Sequence, residues 1–257
     1  MITEFKVYNN SEATQQVQDS NKSLAEQLAL LLVSHQQPEN EQQAIFELLE
    51  NKLSLNMLLD GKLSRLTLDF ADGEVGFRAA RVSKANELVS KAIGCKPYYR
   101  PKVLDATAGM GRDSLIMALL GCEVVMQERN FAIFQLLQNA LQLFKSNLEF
   151  AEVSHRITLQ QKNSIESFEQ VEDIEVIYLD PMFPARKKSA LVKKEMRLFK
   201  LLAGEDIDAD ELLDNALKSS AKRVVVKRPK GAPLLSGKKP SHEIVAKKFR
   251  YDVYIIN

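Results

Sequence analysis

The sequence predicts an α/β protein whose larger domain is a Rossmann-like, mostly parallel sheet with helices on both faces. Three observations support this prediction. From about residue 96, short apolar segments typical of buried strands alternate with segments of helical period. A glycine-containing turn follows the first of these strands. The last two predicted strands have no long helix between them, which favours an antiparallel C-terminal hairpin.

The first 95 residues show a different pattern, which predicts a small α+β domain. Alternating apolar residues surround two Asp-Gly pairs, Asp60-Gly61 and Asp72-Gly73. Such pairs close tight two-residue turns, so this region predicts a β-hairpin or meander. Residues 24–33, LAEQLALLLV, predict a helix. We therefore predict two domains, residues 1–95 and residues 96–257.

Beyond residue 96, predicted strands and helices alternate along the chain. An apolar stripe supports the longest helix, at residues 131–148. In a parallel sheet of this kind, ligands bind beyond the carboxyl ends of the strands, and the motifs that carry chemistry fall at such ends. The predicted strands are VLDATAG, CEVVMQER, ITLQQ, VIYLD, KRVVVKRP and FRYDVYII, and the other predicted helices are RDSLIMALLG and residues 210–219.

The composition is that of an ordinary globular protein. Of the 257 residues, 45% are hydrophobic and 27% are charged. No apolar run approaches the roughly 18 residues that a membrane span needs, and the polar N-terminus lacks the apolar core of a signal peptide. We therefore expect a cytoplasmic protein with no membrane contact. The two cysteines and three histidines show no metal-ligand spacing, so we expect no metal site.

The net charge of +1 hides a strong asymmetry along the chain. Residues 1–180 carry 17 Lys and Arg against 25 Asp and Glu, whereas residues 181–257 carry 18 against 9. A basic C-terminal third on an acidic remainder indicates a polyanionic partner that binds one face of the protein.

A nucleoside cofactor site is predicted at the end of the first strand of the larger domain. Gly109 and Gly111 stand at a strand-to-helix turn, where glycine lets the backbone approach a ligand and the helix N-terminus offers free N–H groups. Glu128 follows at the end of the next strand, where its carboxylate can accept hydrogen bonds from ribose hydroxyls. Asp105, just before the turn, suits the methionine portion of S-adenosylmethionine.

A dinucleotide is the alternative ligand for such a turn. Its G-x-G-x-x-G pattern requires a third glycine, and this sequence has Ser114 there. The generic S-adenosylmethionine pattern is also broken, because Thr107 replaces its first glycine. The acidic residues at both strand ends favour S-adenosylmethionine.

The tetrapeptide Asp180-Pro181-Met182-Phe183 predicts the catalytic loop. It resembles the (N/D)-P-P-(F/Y) loop of methyltransferases that act on planar exocyclic amines. Such an amine is a poor nucleophile, and a carboxylate that accepts its N–H protons favours rehybridisation in the transition state. Pro181 restricts the loop, and Phe183 offers a face on which a base can stack. Met182 departs from the pattern by replacing the second proline.

Basic residues follow this loop directly. Cations next to an active site suit a phosphate backbone, which favours a nucleic acid as substrate. The residues predicted to contact RNA are Arg186, Lys187, Lys188, Lys193, Lys194 and Arg197.

Together, the motifs DATAGMGRD, QERN, YLDPMFP, KKSALVKKEMR and VVVKRP resemble the RsmJ family of bacterial 16S rRNA guanine-N2 methyltransferases. The resemblance covers about residues 75–257. It implies a class I methyltransferase fold, S-adenosylmethionine as methyl donor, and a guanine N2 amine of 16S rRNA or the small ribosomal subunit as acceptor. By position, it implies cofactor contacts at Arg112, Asp113, Glu128, Arg129, Asn163, Ser164 and Asp180.

The residues alone leave other functions open. The Asp180 loop also fits a methyltransferase acting on another amine, such as the N6 amine of adenine in DNA or tRNA. A nicotinamide-dependent oxidoreductase would use a similar glycine turn, although Ser114 argues against it. A non-catalytic RNA-binding module would explain the basic residues without any chemistry.

Overall fold

The structure is a computed structural model that describes residues 2–70, 84–166, 168, 173–182 and 194–256. The chain divides into two compact units, each assembled from three stretches of sequence. The predicted domain boundary at residue 95 stays a prediction. The first unit comprises Met1–Asp69, Gln135–Leu143 and Pro184–Glu205, and the second comprises Phe70–Phe134, Phe144–Phe183 and Asp206–Asn257.

The first unit contains a five-stranded sheet in the order β2-β1-β3-β4-β5. Strand β1 pairs in parallel with β2 and β3, whereas β3, β4 and β5 form an antiparallel meander. Its elements are β1 (Glu4–Tyr8), α1 (Gln15–Leu28), β2 (Leu31–Val33), β3 (Gln43–Leu49), β4 (Lys52–Leu59) and β5 (Lys62–Thr67).

The predicted Asp60-Gly61 hairpin is confirmed. Both turn residues have positive φ, 53° and 69°, as a tight turn between β4 and β5 requires. The second pair, Asp72-Gly73, lies outside the described residues.

The predicted helix at residues 24–33 is wrong at both ends. Helix α1 begins nine residues earlier, at Gln15, and its C-cap Ala29 adopts a left-handed φ of 52° that turns the chain away. The apolar residues that follow form β2 against β1. Apolar content alone did not distinguish the end of the helix from a short strand. On its other side, α1 borders a cleft of about 730 Å³, whose lining includes amide side chains such as Gln16, Gln138 and Asn139.

The second unit contains a seven-stranded sheet in the order β11-β12-β10-β9-β6-β7-β8. The strands β10, β9, β6, β7 and β8 are parallel, and β12 is antiparallel to its neighbours. This is the predicted mostly parallel α/β sheet. The strands are β6 (Val103–Asp105), β7 (Val124–Glu128), β8 (Ile157–Gln161), β9 (Val176–Leu179), β10 (Arg223–Pro229), β11 (His242–Val245) and β12 (Phe249–Ile255).

The predicted helices RDSLIMALLG, 131–148 and 210–219 are present in the structure, with ends that differ by at most three residues. Helix α4 carries Asn130 as N-cap, whose side chain accepts from the amides of Ala132 and Ile133. The helices are α2 (Lys84–Ile93), α3 (Arg112–Leu119), α4 (Phe131–Ser146), α5 (Ala151–His155), α6 (Lys194–Ala203) and α7 (Ala209–Ala216). No helix in the described part of the chain is both long and apolar enough to cross a membrane.

The antiparallel pairing of the last two predicted strands is confirmed, but a strand that was not predicted lies between them in sequence. Between β10 and β12 the chain forms β11, which pairs with the other side of β12 and takes the edge. Strand β11 has four residues, none of them buried, so it lacks the alternation that identifies a half-buried strand.

An apolar cluster fixes the parallel strands in place. It includes Leu104 of β6, Ile177 of β9 and Val224 of β10, which pack with Leu213 of α7, and each is at most 1% exposed. Because these strands run parallel, their carboxyl ends lie along one edge of the sheet, which holds the predicted site.

Candidate active site

Four charged side chains lie at or near the carboxyl ends of adjacent strands. Asp105 ends β6, Glu128 ends β7, Asp180 follows β9, and Lys227 stands near the end of β10. The register aligns Asp105 with Met126 of β7 and Tyr178 of β9. The structure therefore brings the predicted site residues Asp105, Glu128 and Asp180 to one edge of one sheet.

The turn after β6 contains two glycines with left-handed backbone conformation. Gly109 and Gly111 have φ values of 55° and 71°, in the left-handed region that glycine adopts without strain. Gly111 is the N-cap of α3 and has no side chain with which to cap that helix, and a helix N-terminus of this kind favours a negatively charged ligand group. Arg112 and Asp113 occupy the first turn of α3.

Asp105 is a buried carboxyl group that its surroundings hold in one orientation. Its side chain accepts from the Ser114 hydroxyl at 2.5 Å and from the Thr107 amide at 3.2 Å. Burial raises the pKa of Asp105 to about 7, against the opposing effect of the Ser114 hydrogen bond. Ser114, which breaks the dinucleotide pattern, thus has a structural role in orienting Asp105.

Glu128 is placed as a ribose ligand would be. Its two oxygens accept from the Gly109 amide at 3.0 Å and from the Asn130 amide at 2.7 Å. Burial raises the pKa of Glu128 to about 7, although both amides favour the ionised form. A carboxylate has about four acceptor sites, so each oxygen can still accept from a ribose hydroxyl. The residues present therefore fit S-adenosylmethionine.

Thr107 connects the cofactor turn to the catalytic loop. Its hydroxyl accepts from the Asp180 amide at 2.6 Å. A glycine at this position, as in the generic pattern, could not make that bond. The departure at Thr107 therefore fixes the start of the Asp180 loop.

Asp180 forms an ion pair that the sequence interpretation missed. Its Oδ2 lies 2.9 Å from Lys227 Nζ, and Nζ also lies 2.7 Å from Asp113 Oδ2. The Tyr178 hydroxyl donates to the same Asp113 oxygen at 2.7 Å. The sequence feature that could have indicated this residue is a lysine directly after the buried Val224–Val226 run, which is typical of a charge that faces a partner inside the fold.

Opposing effects set the pKa values of Asp180 and Lys227. Burial and the neighbouring Asp113 raise the pKa of Asp180 above its ordinary value, and Lys227 opposes them. Burial disfavours the charged form of Lys227, but Asp180 and Asp113 outweigh it and raise the Lys227 pKa.

Asp206 holds the predicted catalytic loop at Met182. The Met182 amide donates to Asp206 Oδ2 at 2.5 Å, and the Asp206 amide donates back to the Met182 carbonyl at 3.2 Å. Arg129, a predicted cofactor contact, forms ion pairs with Asp206 and Asp208, both at 2.5 Å. The guanidinium of Arg129 thus helps to hold Asp206 in place.

Asn163 and Ser164 lie just beyond β8, as expected for residues at the cofactor edge. Ser164 is 3% exposed, and its hydroxyl lies 2.8 Å from both the Ala106 carbonyl and the Gln127 side chain. It therefore ties the ends of β6 and β7 together. The Asn163 side chain donates to Glu166 at 3.0 Å.

Several predicted substrate residues lie outside the described chain. Lys194 and Arg197 are exposed on α6 in the first unit, where Arg197 contacts the two carboxylate oxygens of Asp60 at 2.7 and 2.8 Å. Across the described residues, no three His, Cys, Asp or Glu side chains cluster as metal ligands. The predicted residues outside the described part are Phe183, Arg186, Lys187, Lys188 and Lys193.

Comparisons with known proteins identify the family of this chain. The family model for SAM-dependent methyltransferases matches residues 24–256. Proteins named ribosomal RNA small subunit methyltransferase J are 44% identical to this chain. The one from Colwellia psychrerythraea aligns over 79% of this chain and 75% of its own length, and the one from Shewanella denitrificans over 85% and 90%.

A solved structure shows the same fold. The SAM-dependent methyltransferase from Neisseria gonorrhoeae is 31% identical, with a TM-score of 0.73 over 97% of this chain and 95% of that one.

Proposed function

This chain belongs to the family of SAM-dependent methyltransferases named ribosomal RNA small subunit methyltransferase J, and on that premise we propose that it methylates the exocyclic N2 amine of a guanine in 16S rRNA. One observation carries the proposal. Asp180 lies beside the cofactor turn, because its backbone amide donates to the Thr107 hydroxyl of that turn.

The cofactor would be held by groups at the ends of β6 and β7. Glu128 would accept from the ribose hydroxyls, and the N–H groups of the glycine turn would face the methionine carboxylate. Asp105 and Asp113 would lie on the side of the methionine ammonium group. When bound, S-adenosylmethionine supplies an electrophilic methyl group on its sulfonium.

Asp180 would act on the acceptor amine. The lone pair of a guanine N2 amine is delocalised into the ring, so the amine must rehybridise before it attacks. Among the described residues, Asp180 Oδ1 has no hydrogen-bond partner, whereas Oδ2 is fixed by Lys227. Oδ1 could accept an amine N–H, which favours that rehybridisation. Pro181 would restrict the loop, and Phe183 would stack on the base, worth roughly 1–3 kcal/mol.

The basic segment after the loop supports RNA as the polyanion. Arg186, Lys187 and Lys188 follow Phe183 within five residues, so along the chain they stand next to the base-binding loop. Their contribution should fall steeply as the salt concentration rises. We place the reaction in the cytoplasm, where small subunits are found.

The proposal is tested by giving the purified protein tritiated S-adenosylmethionine with 16S rRNA or small subunits from a strain that lacks the gene. Nucleosides are then separated and identified by mass spectrometry. We expect one labelled nucleoside, N2-methylguanosine, and loss of label with Asp180→Asn. Label in N6-methyladenosine, or label only when DNA or tRNA is supplied, would contradict the guanine assignment.

A further inference from the structure

We propose that Lys227 is a positioning residue that keeps the Asp180 carboxylate an anion and turns one of its oxygens toward the acceptor amine. This inference rests on the proposed function, because Lys227 would act only through Asp180. Lys227 itself would touch neither S-adenosylmethionine nor the RNA. Asp180 remains the catalytic residue, and Lys227 acts through it.

The contact geometry supports the positioning role. Lys227 Nζ lies 2.9 Å from Asp180 Oδ2 and 2.7 Å from Asp113 Oδ2. The Lys227 side chain is 25% exposed, and its Nζ stands 5.9 Å from the centre of the Phe249 ring. An ammonium group with two short carboxylate contacts is poorly placed to bind a phosphate as well. The ion pair fixes Oδ2, whereas Oδ1 of Asp180 has no hydrogen-bond partner among the residues that the structure describes.

The charges around Asp180 explain why it needs a cation. In the described part of the chain, the other groups that act on it from neighbouring elements include carboxyl and phenol groups. Desolvation and Asp113 favour its protonated form, whereas Lys227 favours the anion. The groups that face this cluster are Asp105 of β6, Asp113 of α3, Tyr178 of β9, Lys227 of β10, Tyr251 of β12 and Asp206 before α7.

Loss of the Lys227 charge should therefore change how activity depends on pH. A protonated Asp180 would present a hydroxyl group to the amine, and only the anion accepts through all of its oxygen lone pairs. With Lys227 replaced by a neutral side chain, more of Asp180 would be protonated near neutral pH. Raising the pH would restore the anion and part of the activity.

The test compares Lys227→Met with Lys227→Arg, and measures kcat and KM for RNA and for S-adenosylmethionine between pH 6 and 9. For Lys227→Met we expect kcat at pH 7 to fall about 100-fold, with the acid limb of the kcat profile displaced upward by about one to two pH units. Lys227→Arg should keep the wild-type acid limb. Lys222→Met is the matched control, because Lys222 is 75% exposed and pairs with Glu175 before β10 begins.

Two results would overturn the inference. One is a Lys227→Met enzyme whose kcat falls equally at every pH. The other is an unchanged kcat with a higher KM for RNA and a shallower salt dependence, which would make Lys227 a phosphate contact. If Lys227→Met does not fold, the same series with Lys227→Gln decides between these results.

The wild-type enzyme separates this inference from the proposed function. If wild-type protein labels no guanine, the proposed function fails whatever Lys227 does. If wild-type protein labels guanine and the variants keep its pH profile, only the role of Lys227 fails.

Discussion

Two carboxyl groups at the site, those of Glu128 and Asp105, are buried. Glu128 is 8% exposed and Asp105 is 2% exposed, and burial raises the pKa of each to about 7. Each keeps hydrogen bonds that favour its anion, from the amides of Gly109 and Asn130 and from the hydroxyl of Ser114. Ionisation of these two carboxyl groups therefore costs the fold stability, and the hydrogen bonds offset part of that cost.

This burial predicts how stability depends on pH. Between about pH 4.5 and 7 the folded protein keeps a proton on Glu128 that the unfolded chain releases, so stability falls as the pH rises through that window. At about 1.4 kcal/mol per pKa unit, the Glu128 contribution is about 3 kcal/mol. Urea unfolding at pH 5 and pH 8 should show a smaller loss for Glu128→Gln than for wild type.

Asp105 provides the comparison for this measurement. Asp105→Asn should also reduce the loss, because the Asp105 pKa is raised in the same direction. Equal losses in wild type and both variants would show that neither carboxyl titrates in this window.

Residue chemistry also explains which site residues could be predicted. Asp105, Glu128 and Asp180 follow from the rule that ligands bind at the carboxyl ends of parallel strands. Thr107 looked like a defect in a motif, but its hydroxyl accepts from the Asp180 amide. The partnership of Lys227 with Asp113 joins residues 114 positions apart, and no local pattern encodes it.

Among the secondary-structure elements, β12 shows how the antiparallel end of the large sheet is held. Arg250 is 5% exposed, and its guanidinium contacts the two Asp252 oxygens at 2.6 and 3.0 Å. It also donates to the carbonyls of Lys230 and Ala232, each at 2.9 Å. Arg250 therefore connects the segment that follows β10 to β12, the strand between β10 and β11.

Removing one partner of this buried pair should cost far more than breaking an exposed pair. For Asp252→Ala we expect a loss of about 3–5 kcal/mol in the free energy of unfolding, because Arg250 keeps a buried charge without its carboxylate. The control is Glu152→Ala, which breaks an exposed pair with Arg156 and should cost less than about 1 kcal/mol. Urea titrations followed by circular dichroism would compare the two. Equal losses would contradict the account.

Strand β3 and helix α6 escaped prediction although both have buried apolar residues. Other elements that escaped it are short or lack an apolar face. The polar first half of α1 gave little apolar periodicity, and β2 and β11 have three and four residues. Such segments form because neighbouring strands supply their hydrogen-bond partners, which is tertiary information. The long amphipathic helix α4 and the buried strands β9 and β10 were predictable because burial imposes a pattern on their sequences.

For the whole molecule, the charge distribution along the chain matches the proposed reaction. Acidic residues dominate up to Asp180 and include the carboxylates of the cofactor edge, whereas basic residues dominate from Pro181 onward. The catalytic loop stands at this change of sign. A methyl donor that carries an ammonium and a sulfonium suits the acidic part, and an RNA backbone suits the basic part.

The most direct test of the central claim is a crystal structure of the protein with S-adenosylhomocysteine. The account predicts ribose hydroxyls within about 3.2 Å of the Glu128 oxygens and the sulfur atom facing Asp180. A ligand bound elsewhere, for example in the amide-lined cleft beside α1, and making no contact with the Glu128 carboxylate, would contradict it.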